Sequence, residues 1–158
     1  MLLAVMVVCF FVPVDKGAIS SSLYSPIYTK VTYAFFHGNL LHLLLNGYCL
    51  YALVYLCRVV TPRYLLVALL IGFVSGFASL APAIGFSGVL YALYGLYRYR
   101  FTVRFRRIIA ISLVLPFLIA FVAPVRIAWG IHLAAYLGGI AAHTIISATT
   151  DGTKTRRR

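Results

Sequence analysis

Apolar residues fall into six blocks along the chain, each closed by a short basic or proline-containing break. The blocks run from Met1 to Val14, Leu40 to Cys57, Tyr64 to Leu80, Phe86 to Tyr99, Ile108 to Val122 and Ile127 to Ile146. Sustained apolar runs of this kind predict membrane-spanning helices, for which about 20 residues cross the hydrocarbon core. The pattern therefore predicts an all-α, polytopic membrane helical bundle with six transmembrane helices. One domain is expected over residues 1–150, followed by a basic cytoplasmic tail at 151–158. The first block is shorter than a span requires, so the expectation there is a truncated helix or a late-placed start codon. No clear small-residue cleavage site follows it to mark a signal peptide.

Composition strengthens the membrane reading. Of 158 residues, 63% are hydrophobic, and the mean hydropathy is +1.01. Soluble domains are closer to half apolar. Asp15 and Asp151 are the only acidic residues, and the formal net charge is +12. Nucleic acid is not the expected partner, because the cations lie between or after the apolar blocks and not along an amphipathic face. The lipid bilayer explains them instead. Arg58 and Arg63 separate blocks two and three. Arg98, Arg100, Arg104, Arg106 and Arg107 separate blocks four and five. Lys154 and Arg156 to Arg158 form the tail. These are 11 of the 14 basic residues, leaving Lys16, Lys30 and Arg126 for the other side. The positive-inside rule then puts the tail in the cytoplasm, and spans two, four and six run from outside to inside.

That topology gathers the scarce polar groups. Ser87 opens span four between glycines, in Gly85-Phe86-Ser87-Gly88, where bare backbone leaves room for a substrate and for N–H donors. His132 lies near the start of span six. His37, His42 and Asn46 lie just before and within the start of span two. All five are expected near the outer ends of three parallel helices. Polar groups in lipid are costly and need partners, so each is a candidate functional residue.

A serine hydroxyl needs a base to act as a nucleophile, and no carboxylate lies in any block to complete a triad. A Ser87–His132 dyad is the simplest arrangement. His143 is eleven residues deeper, about 16 Å along the helix, and is read as structural. Ala92 and Gly95 on span four, and Ala135, Gly139 and Ala142 on span six, are small enough for close helix packing, whether or not catalysis follows. His42 and Asn46 share a helical face and could stabilise an oxyanion with the Ser87 N–H; they could equally bond loop carbonyls. Tyr91, one turn after Ser87, could pack against the His132 ring or sit there by chance.

Rival chemistries fit poorly. A zinc protease motif H-E-x-x-H is missing, and no metal ligand set is expected. An aspartyl protease needs two buried Asp residues, and both Asp residues lie outside the blocks. Cys9, Cys49 and Cys57 lie in or beside apolar blocks without a C-x-x-C pair and read as free thiols. A small transporter, or a haem or metal binder using the histidines, is a weaker alternative.

Taken together, His37-x4-His42-x3-Asn46, then Gly85-Phe86-Ser87-Gly88-x2-Tyr91, then His132 in a Gly-rich last helix, resemble the rhomboid family of intramembrane serine proteases. The resemblance covers about Tyr33 to Ala142 and is closest to the minimal six-helix bacterial form. It implies Ser87 as nucleophile and His132 as general base. It implies an oxyanion site of His37, Asn46 and the Ser87 N–H, with His42 structural and Tyr91 stacked on His132. Transmembrane segments of other membrane proteins are the implied substrates, without a cofactor, and the bacterial inner membrane is the implied location. The segment from Asp15 to Phe36 corresponds to a membrane-embedded first loop. The fifth helix, with Pro116 inside it and Pro124 at its end, corresponds to a lateral gate. Ile131, and Ala135 in place of a usual glycine, imply a slightly wider contact at the last helix, and the first loop lacks the family's Trp-Arg pair. A proteolytically silent relative that binds membrane helices for quality control or trafficking is the alternative within the same resemblance.

Overall fold

A computed structural model describes the backbone of residues 1–58, 60–122 and 128–155, and the side chains of the same residues except 116, 117, 119–122 and 150–155. Pro124, Arg126, Ile127 and Arg156 to Arg158 lie outside the described residues, as do the side chains of Pro116 and Lys154.

Eight helices are described: α1 (Leu2–Phe11), α2 (Lys16–Ile19), α3 (Thr29–Thr32), α4 (Leu40–Tyr51), α5 (Pro62–Ser75), α6 (Ser87–Leu96), α7 (Val103–Val122) and α8 (Trp129–Thr155). Polar caps set the starts of α4 and α5. Asn39 Oδ1 accepts from the His42 N–H at 2.8 Å ahead of α4. Thr61 precedes Pro62 ahead of α5, and its Oγ1 accepts from the Tyr64 N–H. Both devices satisfy N–H groups that a helix start leaves without partners. A wide π turn over Ala52–Leu56 extends α4, and a tight 3₁₀ turn over Gly76–Ala78 extends α5.

The helix bounds correct the expected blocks in three places. α6 ends at Leu96, short of the expected Tyr99, because the chain turns through a 3₁₀ turn at Arg98–Arg100. α7 begins at Val103, so Arg104, Arg106 and Arg107 extend the helix and do not form a loop. α8 continues to Thr155, beyond the expected Ile146. Trp129–Thr149 is the one described helix long and apolar enough by itself to cross a membrane; Leu2–Phe11, Leu40–Leu56, Pro62–Ala78 and Ser87–Leu96 are shorter apolar helices.

The core is built around α6. Val89, Ala92, Leu93 and Leu96 are completely or almost completely buried. α5 and α8 supply most of the packing around it. A Cβ placed on Gly95 would lie 2.2 Å from the Tyr136 carbonyl oxygen, and one on Gly139 would lie 2.3 Å from that of Ala92. The α6 and α8 backbones therefore touch, as small residues permit in membrane helices. By contrast, Leu41, Leu44 and Leu45 on α4, Leu66, Leu70 and Val74 on α5, and Ile111, Leu115 and Leu118 on α7 are exposed. An apolar surface this extensive suits a hydrocarbon solvent and not water.

The segment between α1 and α4 packs over the start of α6. Ser21 pairs with Ala83 in both directions, and the Gly85 N–H donates to the Tyr33 carbonyl at 2.8 Å. Tyr33 is buried, and its hydroxyl donates to the Gly72 carbonyl at 2.6 Å. Lys30 is also buried; its ammonium bonds the Ser22 carbonyl and, at 3.0 Å, Ser25 Oγ. These ties fix the turn that delivers Ser87.

Candidate active site

Ser87 is the first residue of α6. Its N–H is thus one of the donors that a helix start leaves free of intrahelical bonds. Gly85, two residues earlier, has φ +126°, a conformation that disfavours any side chain. A Cβ at Gly85 would also come within 2.5 Å of the His42 ring. The bare backbone here makes the turn and seats a histidine. Gly88 has a different use: its missing Cβ would meet Tyr33 Oη at 2.7 Å and Ile131 Cγ2 at 3.0 Å. It lets α6 settle into the core and opens no room for a substrate, contrary to the expectation for both flanking glycines.

His132 lies in the first turn of α8, with its N–H bonded to the Ala128 carbonyl. Ser87 Oγ and His132 Nε2 are 2.8 Å apart, a hydrogen bond between two helices. His132 Nδ1 is buried without a hydrogen-bond partner among the described residues. Tyr91 stacks on the imidazole with centroids 4.5 Å apart and planes 26° apart. At the far end of the chain's histidine set, His143 sits beside Tyr99 and Ser147, away from this pair.

The two remaining histidines take different places around the turn. His37 is 1% exposed and does not line the cavity beside Ser87. Its Nε2 accepts from the Phe86 N–H at 3.4 Å, so it steadies the turn from behind. Burial first, and the neighbouring His42 ring second, push its pKa down to about 4. That keeps the ring neutral, as an acceptor must be. His42 lines the cavity, as does Asn46 one turn later. Asn46 Nδ2 donates to the His42 carbonyl at 2.8 Å, and an amide nitrogen carries a second hydrogen. His42 and not His37 therefore lines the cavity with Asn46. The capping of α4 at Asn39 explains the difference: His42 and Asn46 share a helical face, whereas His37 precedes the helix.

The cavity is about 440 Å³ and is walled by α4, α6, α7 and α8. Ser87, His132, His42 and Asn46 cluster with apolar side chains such as Leu45, Phe105 and Ile108. A second recess of about 260 Å³ reaches Ser87, His42 and His132 past Pro82, Ala83 and Ala128. Two polar residues escaped the sequence reading as site support. Ser112 on α7 accepts the Tyr91 hydroxyl bond, and Ser75 on α5 donates to the Gly72 carbonyl that also receives Tyr33. The available signal was the cost of any lone hydroxyl in an apolar helix, which demands a partner.

An all-helical bundle with a lipid-suited surface and a serine–histidine pair between two touching helices defines a membrane-embedded class of protein. The rhomboid domain model matches residues 24–149, and the chain belongs to the rhomboid family. It is an integral membrane protein, a rhomboid-type intramembrane protease or a homologue of one. Comparison with curated protein sequences returns no significant match.

Proposed function

We propose that the protein is an active serine endopeptidase that hydrolyses peptide bonds in or near transmembrane segments of other membrane proteins. The observation that carries this reading is the 2.8 Å contact between Ser87 Oγ and His132 Nε2, opening on a cavity lined by His42 and Asn46. Neutral His132 takes the Ser87 hydroxyl proton on Nε2 while Oγ attacks the scissile carbonyl carbon. The carbonyl oxygen becomes an oxyanion. The Ser87 N–H, Asn46 Nδ2 and the His42 ring are the donors proposed to stabilise it. The imidazolium then gives its proton to the departing amine, leaving an acyl ester on Ser87. A water deprotonated by His132 hydrolyses that ester and restores both residues. No carboxylate and no cofactor take part. His37, Tyr91, Gly85 and Gly88 support the geometry.

Six spans serve this function: α1, α4 with its π turn, α5 with its 3₁₀ turn, α6, α7 and α8. Residues 1–150 form one domain and 151–158 a basic tail. The basic residues favour a cytoplasmic C-terminus, with a bacterial inner membrane as the location. The test is cleavage of a transmembrane reporter by the purified protein. Wild type should release product and Ser87→Ala should not. Equal cleavage by both refutes the reading, and an intact reporter that copurifies with wild type makes the protein a silent helix binder.

A further inference from the structure

Ser112 lines the same cavity as Ser87 and His132, and one side chain joins it to the histidine. The Tyr91 hydroxyl donates to Ser112 Oγ at 2.8 Å, with the Ser112 carbonyl 3.2 Å away. Ser112 Oγ is itself oriented by donating to the Ile109 carbonyl at 2.8 Å. The opposite end of this chain of contacts is the Tyr91 ring stacked on His132. Among the described residues no hydrogen bond reaches the imidazole from behind, since none of them partners His132 Nδ1. The ring plane is therefore held by the Ser87 bond and by the Tyr91 stack. A tyrosine ring can rock about its own axis unless its hydroxyl is fixed, and here the fixing group belongs to another helix.

From this arrangement we infer that Ser112 is a positioning residue, which aligns His132 through Tyr91 and makes that alignment depend on where α7 stands. The inference rests on the serine-protease reading for its catalytic consequence. α7 forms one wall of the cavity through Phe105, Ile108, Ile109 and Ser112, and its outer apolar side chains are exposed. A substrate segment seated against that wall touches the same helix that orients the base. The alignment of His132 is complete when α7 is seated.

The experiment uses the full chain in detergent micelles with ring-labelled histidine, the His132 signal being assigned by its loss in His132→Gln. Ser112→Ala should move the His132 ring signal, since the Tyr91 hydroxyl is left with the weaker carbonyl contact. Tyr91→Phe should move it further. The double variant should match Tyr91→Phe alone, and Ser112→Thr, which keeps the hydroxyl, should leave the signal in place. In reporter cleavage, kcat should fall roughly threefold in Ser112→Ala and roughly tenfold in Tyr91→Phe with KM unchanged, as loss of one hydrogen bond allows. An unmoved His132 signal in Ser112→Ala, or additive effects in the double variant, overturns the inference. Should Ser112→Ala fail to fold, the contrast between Tyr91→Phe and Ser112→Thr decides, and an unmoved signal in Tyr91→Phe overturns it. A wild type that shows the spectral pattern but cleaves nothing refutes the protease reading and leaves the positioning link standing. A wild type that cleaves, with Ser112→Ala unchanged in both readouts, refutes the link alone.

Discussion

Replacing Gly95 with alanine tests whether backbone contact between α6 and α8 is what brings Ser87 to His132. The added Cβ would lie 2.2 Å from the Tyr136 carbonyl oxygen, against 3.4 Å at the short limit of ordinary contact. The obstacle is backbone, so it cannot rotate away, and the helices must part by about 1.2 Å, the difference between these distances. Ser87 is eight residues up α6 from Gly95, about 12 Å along the axis. If the helices part as stiff rods, the Ser87–His132 separation grows from 2.8 Å. It then reaches about 4 Å, beyond hydrogen-bond range. Misplacement of a catalytic pair by about 1 Å costs on the order of 10²-fold in rate, and overpacking costs about 1–3 kcal/mol of stability. Gly95→Ala should therefore lower kcat/KM for a transmembrane reporter by about 10²-fold. Labelling of Ser87 by a serine-directed fluorophosphonate should slow in parallel. Gly47→Ala is the control: its Cβ meets only the end of the Leu3 side chain, at 3.6 Å, and should be silent in both assays. A Gly95→Ala protein that melts like wild type and cleaves at the wild-type rate refutes the reasoning.

The remaining predictions separate support from chemistry. His42→Ala and Asn46→Ala should each lower kcat by about 10²-fold with little change in melting temperature, if they supply oxyanion donors; a larger loss in His37→Ala than in His42→Ala would reverse that assignment. Gly85→Ala should destabilise by about 1–3 kcal/mol through its positive φ and the His42 ring, read by thermal unfolding in detergent. Tyr33→Phe removes one of two donors to the Gly72 carbonyl, so it should cost only about 0.5–1.5 kcal/mol in the same assay. The His37 pKa falls from 6.5 to about 4 on folding, so the folded state binds fewer protons. Its contribution to stability is complete above pH 6.5 and is lost as pH falls towards about 4. Melting temperature followed over that window should decline in wild type and decline less steeply in His37→Gln.

Much of the site was legible in the chain because polar residues are so scarce in it. Ser87 and His132 stand out against apolar surroundings, and the missing carboxylates leave few partners for them. The small residues at Ala92, Gly95, Ala135 and Gly139 mark where two helices can touch. The division between His37 and His42 was not legible. The five-residue spacing does not say which ring faces the cavity, since His37 lies ahead of the Asn39 cap and its direction is set by loop packing over α6. Nor could the spacing of Gly88 reveal that Tyr33 and Ile131, far away in sequence, fill the space beside it. The role of Ser112 was not legible either, because its partner, Tyr91, lies 21 residues earlier on another helix.

The sequence by itself determined a helical membrane protein with a serine and a histidine placed to meet, since hydropathy, charge bias and rarity are properties of local residue type. Only the tertiary structure decided which histidine backs the turn and which lines the cavity. It also decided which glycine makes the turn and which lets α6 settle into the core, and that Ser112 on α7 meets the tyrosine stacked on His132. Those outcomes depend on approaches between distant segments, where differences of about one ångström separate a hydrogen bond from none.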